Sequence, residues 1–125
     1  MKENNLGMKK NSFSLYYNGG EIWAQHLDCI NNLEDMKRKF DEDLVQMVRP
    51  SSSSYVAINL AQSAVDKSFL KYILDAMNTC GKPFQRVVFI GLPYRLKRYL
   101  RKHIPSNLGA VACIDDFEKA KEWLI

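Results

Sequence analysis

The chain has 125 residues, of which 46% are hydrophobic and 26% are charged, a balance typical of one folded domain and not of a disordered chain. Its net charge of +4 is too small for a generally basic protein. No apolar run reaches the ~18 residues of a membrane span, and residues 1–5 lack the apolar stretch of a signal peptide. Three dispersed cysteines favour reduced thiols over a disulfide framework, so we expect a cytoplasmic protein.

Residues 1–10 are polar and show no periodicity, which predicts a flexible N-terminal tail before a single domain over residues 11–125. The domain begins with two segments rich in aromatic and branched residues, 12–17 and 21–27. Between them lies Asn18-Gly19-Gly20, which tolerates positive φ. This pattern predicts a β-hairpin.

An amphipathic helix is predicted next, with Asn31 or Asn32 as its N-cap and Pro50 beyond its end. Its apolar positions recur at steps of three and four: Leu33, Met36, Phe40, Leu44 and Met47. The almost wholly apolar run 55–61 is typical of a central strand that is covered on both faces.

The second half of the chain alternates between apolar helices and apolar strands. The predicted elements are a helix from Phe69 to Cys80, a buried strand over 87–90, a helix over 93–103, a buried strand over 110–114 and a last helix from Phe117 to Ile125. Asp115 and Glu118 have capping-box spacing before the last helix. The order ββαβαβαβα predicts an α/β fold with a five-stranded, mostly parallel mixed sheet and about four flanking helices.

This element order, over roughly residues 12–125, resembles the STAS superfamily of anti-sigma-factor antagonists and sulphate-transporter domains. Asp116 to Leu124 resembles the acidic cap and the helix ending Ala-x-x-Trp-Leu of small bacterial STAS/SEC14-like proteins. Residues 25–35 resemble their second strand running into the first helix. The resemblance implies a STAS-like, non-enzymatic regulatory or protein-binding domain. The SEC14-like similarity implies, as the alternative, a module that binds a lipid or a small apolar ligand.

Ser68 is the candidate switch residue. In the antagonist branch, an Asp closes the central strand and an Asp-Ser-Ser-Gly turn carries a phosphorylatable serine; Asn59 and Ser68 fall at those two positions here. Lys67 replaces the acid before the serine, and Phe69 and Leu70 replace the Ser-Gly after it, so the motif departs from antagonist-type regulation. A helix N-terminus would stabilise a phosphate there. In the simpler interpretation, Asp66 caps the helix and Ser68 faces solvent.

The most distinctive feature is a basic segment, because residues 82–103 carry seven Lys or Arg residues and no Asp or Glu. Its candidate partner surface lies on one predicted helix face, at Arg95, Arg98, Arg101 and Lys102. The opposite face has Leu96, Tyr99, Leu100 and Ile104. Such a helix docks an acidic protein surface, lies on anionic lipid or simply faces solvent. Nucleic acid is a less favoured partner because the chain has no base-reading motif.

Polar side chains follow the central strand and form the second part of the candidate surface: Asn59, Gln62, Ser63 and Asp66. Ligands of open α/β sheets bind beyond the carboxyl ends of the strands. No metal site is predicted, because His26 and Cys29 lack a second ligand pair. No cofactor is predicted either, since the chain has no glycine-rich phosphate loop, and no nucleophile, base and orienting group appear together.

Overall fold

Strands and helices alternate over residues 11–125, the part of the chain that a computed structural model describes. The elements are β1 (Phe13–Tyr17), β2 (Gly20–His26), α1 (Leu33–Met47), β3 (Tyr55–Asn59), α2 (Lys67–Thr79), β4 (Phe84–Ile90), α3 (Tyr94–Lys102), β5 (Leu108–Cys113) and α4 (Phe117–Leu124). The predicted α/β class, with a five-stranded mixed sheet and four helices, is confirmed. The predicted tail, residues 1–10, lies outside the described residues.

The five strands lie in the sheet in their chain order, β1-β2-β3-β4-β5. β1 is antiparallel to β2, and all other neighbours are parallel. Parallel crossovers are almost always right-handed, so three that step in the same direction place their helices on one face. Accordingly, α1, α2 and α3 share one apolar cluster with the sheet, whereas α4 packs in a second cluster on the opposite face.

The hairpin turn is two residues long, because Tyr17 pairs with Gly20. Asn18 and Gly19 both have left-handed backbone conformations, with φ of 49° and 85°. Two positive φ values are what a type I′ turn requires, and its twist matches that of the flanking strands. Gly20 therefore belongs to β2 and not to the turn.

Side-chain caps begin α1 and α2. Asn32 Oδ1 accepts the Asp35 N–H at 3.0 Å, and Asp66 Oδ1 accepts the Phe69 N–H at 2.8 Å. In the predicted apolar stripe of α1, Met36, Phe40 and Met47 are buried, Leu44 is half-buried, and Leu33 is 40% exposed. Leu33 is the first residue of the helix and lies beyond the carboxyl edge of the sheet, so no strand covers it.

Three predictions at the C-terminal end were wrong. β5 is an edge strand in which Gly109 and Ala110 are exposed, because it lies last in the sheet and has one neighbour. Asp116, not Asp115, caps α4 and accepts the Glu118 N–H at 3.2 Å. Ile104 is 41% exposed, because it lies past the end of α3.

Candidate functional site

A groove of about 700 Å³ lies between α2 and α3. The first turns of both helices follow parallel neighbouring strands, so they meet at the carboxyl edge of the sheet. The groove is lined by the start of α2, by Pro93 and by one side of α3: Val65, Asp66, Lys67, Pro93, Arg95, Leu96, Arg98, Tyr99, Lys102 and His103. We call it the α2–α3 groove.

Positive charge dominates the α2–α3 groove. Its cations are Lys67, Arg95, Arg98 and Lys102, and its one carboxylate is Asp66. The Asp66 carboxylate already accepts the Phe69 N–H as the cap of α2. Within residues 11–125, no carboxylate forms an ion pair with any of the four cations. The groove therefore presents unneutralised positive charge, which attracts anions.

An apolar and aromatic floor lies under these charges. Leu96 is 8% exposed, and Val65 and Tyr99 are half-buried. The Tyr99 ring stacks on His103 with ring centres 4.0 Å apart, and His103 Nδ1–H donates to the Tyr99 carbonyl at 2.8 Å. Lys67 Nζ lies 5.2 Å from the centre of the Tyr99 ring, so a cation–π contact joins α2 to α3.

The four predicted cations of α3 do not all line the groove. At roughly 100° per residue, Arg95, Arg98 and Lys102 fall within about 60° of one another, and Arg101 falls outside that sector. Arg101 does not line the groove. Its charge acts on Cys113 instead: burial raises the pKa of the Cys113 thiol, and Lys97 and Arg101 oppose that rise. The burial of Leu96 and Leu100 against the sheet sets this rotation of α3.

Ser68 is exposed in the first turn of α2 but does not line the α2–α3 groove. It lines a second, smaller groove of about 280 Å³ between α1 and α2, with Leu33, Glu34, Lys37, Asp66, Phe69 and Tyr72. Asp66 lines both grooves. The predicted switch residue Ser68 and the basic helix α3 therefore lie on different sides of α2.

Asn59, Gln62 and Ser63 line neither groove; they build the turn that leads to Asp66. Asn59 Oδ1 accepts the Ala61 N–H at 3.1 Å, and Ser63 Oγ donates to the Leu60 carbonyl at 2.7 Å. Gln62 is exposed and has a left-handed φ of 55°. These side chains position α2 and are not brought together as a ligand site.

Gly91 positions the other wall of the groove. Its φ is 82°, and its N–H donates to Asp115 Oδ1 at 3.3 Å. Asp115 Oδ2 forms an ion pair with Lys97 Nζ at 3.0 Å. The turn between β4 and α3 is thus tied to the loop before α4, which holds the first turn of α3 beside α2.

The predicted surface did not include Val65, Lys67, Leu96, Tyr99 or His103, which all line the groove. Leu96 and Tyr99 were predicted on the helix face opposite the cations, and that prediction was wrong. The Tyr99–His103 pair was detectable, because residues four apart on a helix are neighbours. The position of Lys67 depends on the packing of α2 against α3, which no local pattern encodes.

Comparison with protein-family models, with curated proteins and with solved structures finds no match to this chain.

Within residues 11–125, no group of three or more His, Cys, Asp and Glu side chains is placed to hold a metal ion. No helix of this region combines the length and the apolar character needed to cross a membrane.

Proposed function

We propose that this chain is a non-enzymatic, STAS-like regulatory domain that binds an acidic segment of a partner protein in the α2–α3 groove. One observation carries the proposal: four cationic side chains line a single concavity, and no carboxylate within residues 11–125 pairs with them. The proposal places the protein in the cytoplasm, in keeping with its three free cysteines.

The composition of the groove favours a peptide segment. Side chains of Val65, Leu96 and Tyr99 offer apolar contacts beside the cations, so neighbouring apolar and acidic residues of one segment find complementary surfaces. Opposite charge steers the encounter and sets the register of the segment, more than it sets the affinity. Affinity that depends on these exposed cations falls as salt screens them.

An anionic lipid surface is the second candidate. Tyr94 is 67% exposed at the start of the basic helix, and Ile104 is 41% exposed just past its end. Aromatic and apolar side chains beside basic ones are typical of segments that lie on a membrane surface. These two exposed side chains place the candidate lipid-binding surface on α3. Vesicle sedimentation distinguishes lipid binding from binding of an acidic segment.

The test measures fluorescence anisotropy of a labelled, degenerate acidic peptide library with the wild-type chain and with two variants. Arg95→Gln/Arg98→Gln removes two groove cations, and Arg101→Gln/Lys119→Gln removes the same charge from exposed positions outside the groove. We expect the groove variant to lose binding about tenfold and the control to stay near wild type.

Sedimentation with vesicles of phosphatidylcholine and phosphatidylserine is run in parallel. Peptide binding lost equally in both variants would show attraction to net charge alone and would refute the groove as the site. Strong vesicle binding without peptide binding would replace the proposal by its lipid alternative.

A further inference from the structure

We infer that the anionic group the α2–α3 groove takes is a phosphate monoester on a serine or threonine side chain of the partner segment. This inference rests on the proposed function and makes it specific. It concerns a phosphate carried by the ligand, and not one carried by Ser68, which lines the other groove.

The charge of the groove favours a phosphate monoester. The four cations and the one carboxylate that line the groove sum to a charge of +3. A carboxylate would neutralise one of these charges, whereas a phosphate monoester carries about −1.5 to −2. A segment with one phosphate thus neutralises most of the cluster at a single point within a concavity of about 700 Å³.

The type and spacing of the hydrogen-bond donors also favour a phosphate. Arg95 and Arg98 are three residues apart on one side of α3, and both line the groove. Each guanidinium offers a planar fork of N–H donors that matches the oxygens of a phosphate. Three phosphate oxygens accept from two such forks and from an ammonium group together, whereas a carboxylate has two oxygens.

The shape of the groove favours a protein segment as the source of the phosphate. The cations line a concavity with a recessed apolar floor, in which Leu96 is 8% exposed. The stacked rings of Tyr99 and His103 supply a contact surface for the residue next to the phosphorylated one. The groove volume falls within the range of sites that enclose a small ligand, enough for one modified side chain and its neighbours.

The experiment compares three labelled peptide libraries that are identical except at one fixed central position: phosphoserine, glutamate or serine. Anisotropy is measured with the wild-type chain and with Arg98→Lys, Arg98→Gln and Arg101→Gln. All three substitutions fall at exposed positions, and their effect on folding is checked by thermal unfolding.

The expected result is about tenfold tighter binding of the phosphoserine library than of the glutamate library. Arg98→Lys keeps the charge but loses the planar fork, so most of this preference should disappear. Arg101→Gln, outside the groove, should leave the preference within about twofold of wild type.

Equal affinities for the phosphoserine and glutamate libraries would overturn the phosphate inference and leave the acidic-segment proposal standing. Failure of both libraries to bind would overturn both. A phosphoserine preference that survives in Arg98→Gln would show that the phosphate binds outside this groove and would contradict the assignment. Binding only to vesicles that contain anionic phospholipid would assign the groove to lipid headgroups and also contradict it.

Discussion

Gly91 and Ala61 hold the two walls of the α2–α3 groove against each other: a Cβ on Gly91 would lie 2.4 Å from the Ala61 Cα. Ala61 belongs to the turn before α2, and Gly91 to the turn before α3. Backbone contacts this close leave no room for a side chain, and the φ of 82° at Gly91 also disfavours one. The relative placement of α2 and α3 therefore depends on this glycine.

The substitution Gly91→Ala should destabilise the domain by about 3 kcal/mol or more, because it adds a backbone clash to the strain of a left-handed conformation. Gly81→Ala is the matched control. Gly81 has a φ of 85°, and no described atom lies within 4 Å of a Cβ built there. The control should cost only about 1 kcal/mol. Urea unfolding measures the free energy of unfolding of both variants. An equal loss in the two variants would show that the backbone around Gly91 and Ala61 shifts to accept a side chain without cost.

Lys82 ties the end of α1 to the loop between α1 and β3. Its ammonium group donates to the carbonyl oxygens of Met47, Arg49 and Ser52, each at 2.8 Å. Lys82→Met keeps most of the side-chain length but leaves these carbonyls without a donor, so we expect a loss of about 1–2 kcal/mol in the free energy of unfolding. Lys71→Met, at an exposed ion pair with Asp75, should change stability little. An equally small loss of stability in Lys82→Met would mean that water donates to the three carbonyl oxygens in place of the ammonium group.

Cys113 should react more slowly with iodoacetamide than Cys29, because Cys113 is half-buried and burial raises its pKa, whereas Cys29 is exposed. Arg101→Gln removes a charge that opposes this rise, so alkylation of Cys113 should slow further at a given pH. The raised pKa also makes stability depend on pH. Because the pKa of the Cys113 thiol is higher in the folded chain than in the unfolded chain, its contribution to the free energy of unfolding is fully present below the unfolded pKa of about 8.5. That contribution is lost as the pH rises through the folded pKa. Mass spectrometry of time-quenched samples follows each cysteine; faster labelling of Cys113 in the variant would contradict this electrostatic account.

Ser68→Glu tests whether charge at the switch position reaches the α2–α3 groove. Ser68 lies two residues from Asp66, which lines both grooves, so added negative charge should weaken binding of an acidic peptide by about two- to fivefold at low salt. The effect should disappear in about 0.5 M salt, where the Debye length is a few ångströms. Asn78→Glu places the same charge at the exposed far end of α2 and should have no effect. Equal weakening by both substitutions would show a response to net charge only.

Much of the fold was predictable, because its signals are local. Asn18-Gly19 encodes a two-residue turn, the steps from Met36 to Met47 encode one buried helix face, and Asp66 caps the helix that it was proposed to cap. Each of these features depends on residues that are close together in the sequence. The exposure of β5 was not predictable in this way, because its apolar sequence is compatible with a central strand and only the strand order makes it an edge.

The positive charge of the site was predictable from the sequence, but the set of residues that line the groove was not. The cations of α3 stand out in the sequence, but the burial of Leu96 and Leu100 decides which of them enter the groove. Arg101 is excluded by that rotation. Ser68 is separated from Arg95 because the path of α1 across the sheet creates a second groove on the other side of α2. Both outcomes depend on how helices pack on the sheet, which local periodicity does not specify.

The most direct test of the central claim maps the binding site by NMR. Backbone amide and arginine side-chain signals of the ¹⁵N-labelled chain are followed while an unlabelled acidic peptide library is added. The proposal predicts the largest shift changes at Lys67, Arg95, Arg98 and His103, and small ones at Arg101 and on α4. Shift changes centred on α4 or on the β1 edge, or none at concentrations that saturate the anisotropy signal, would contradict binding in the α2–α3 groove.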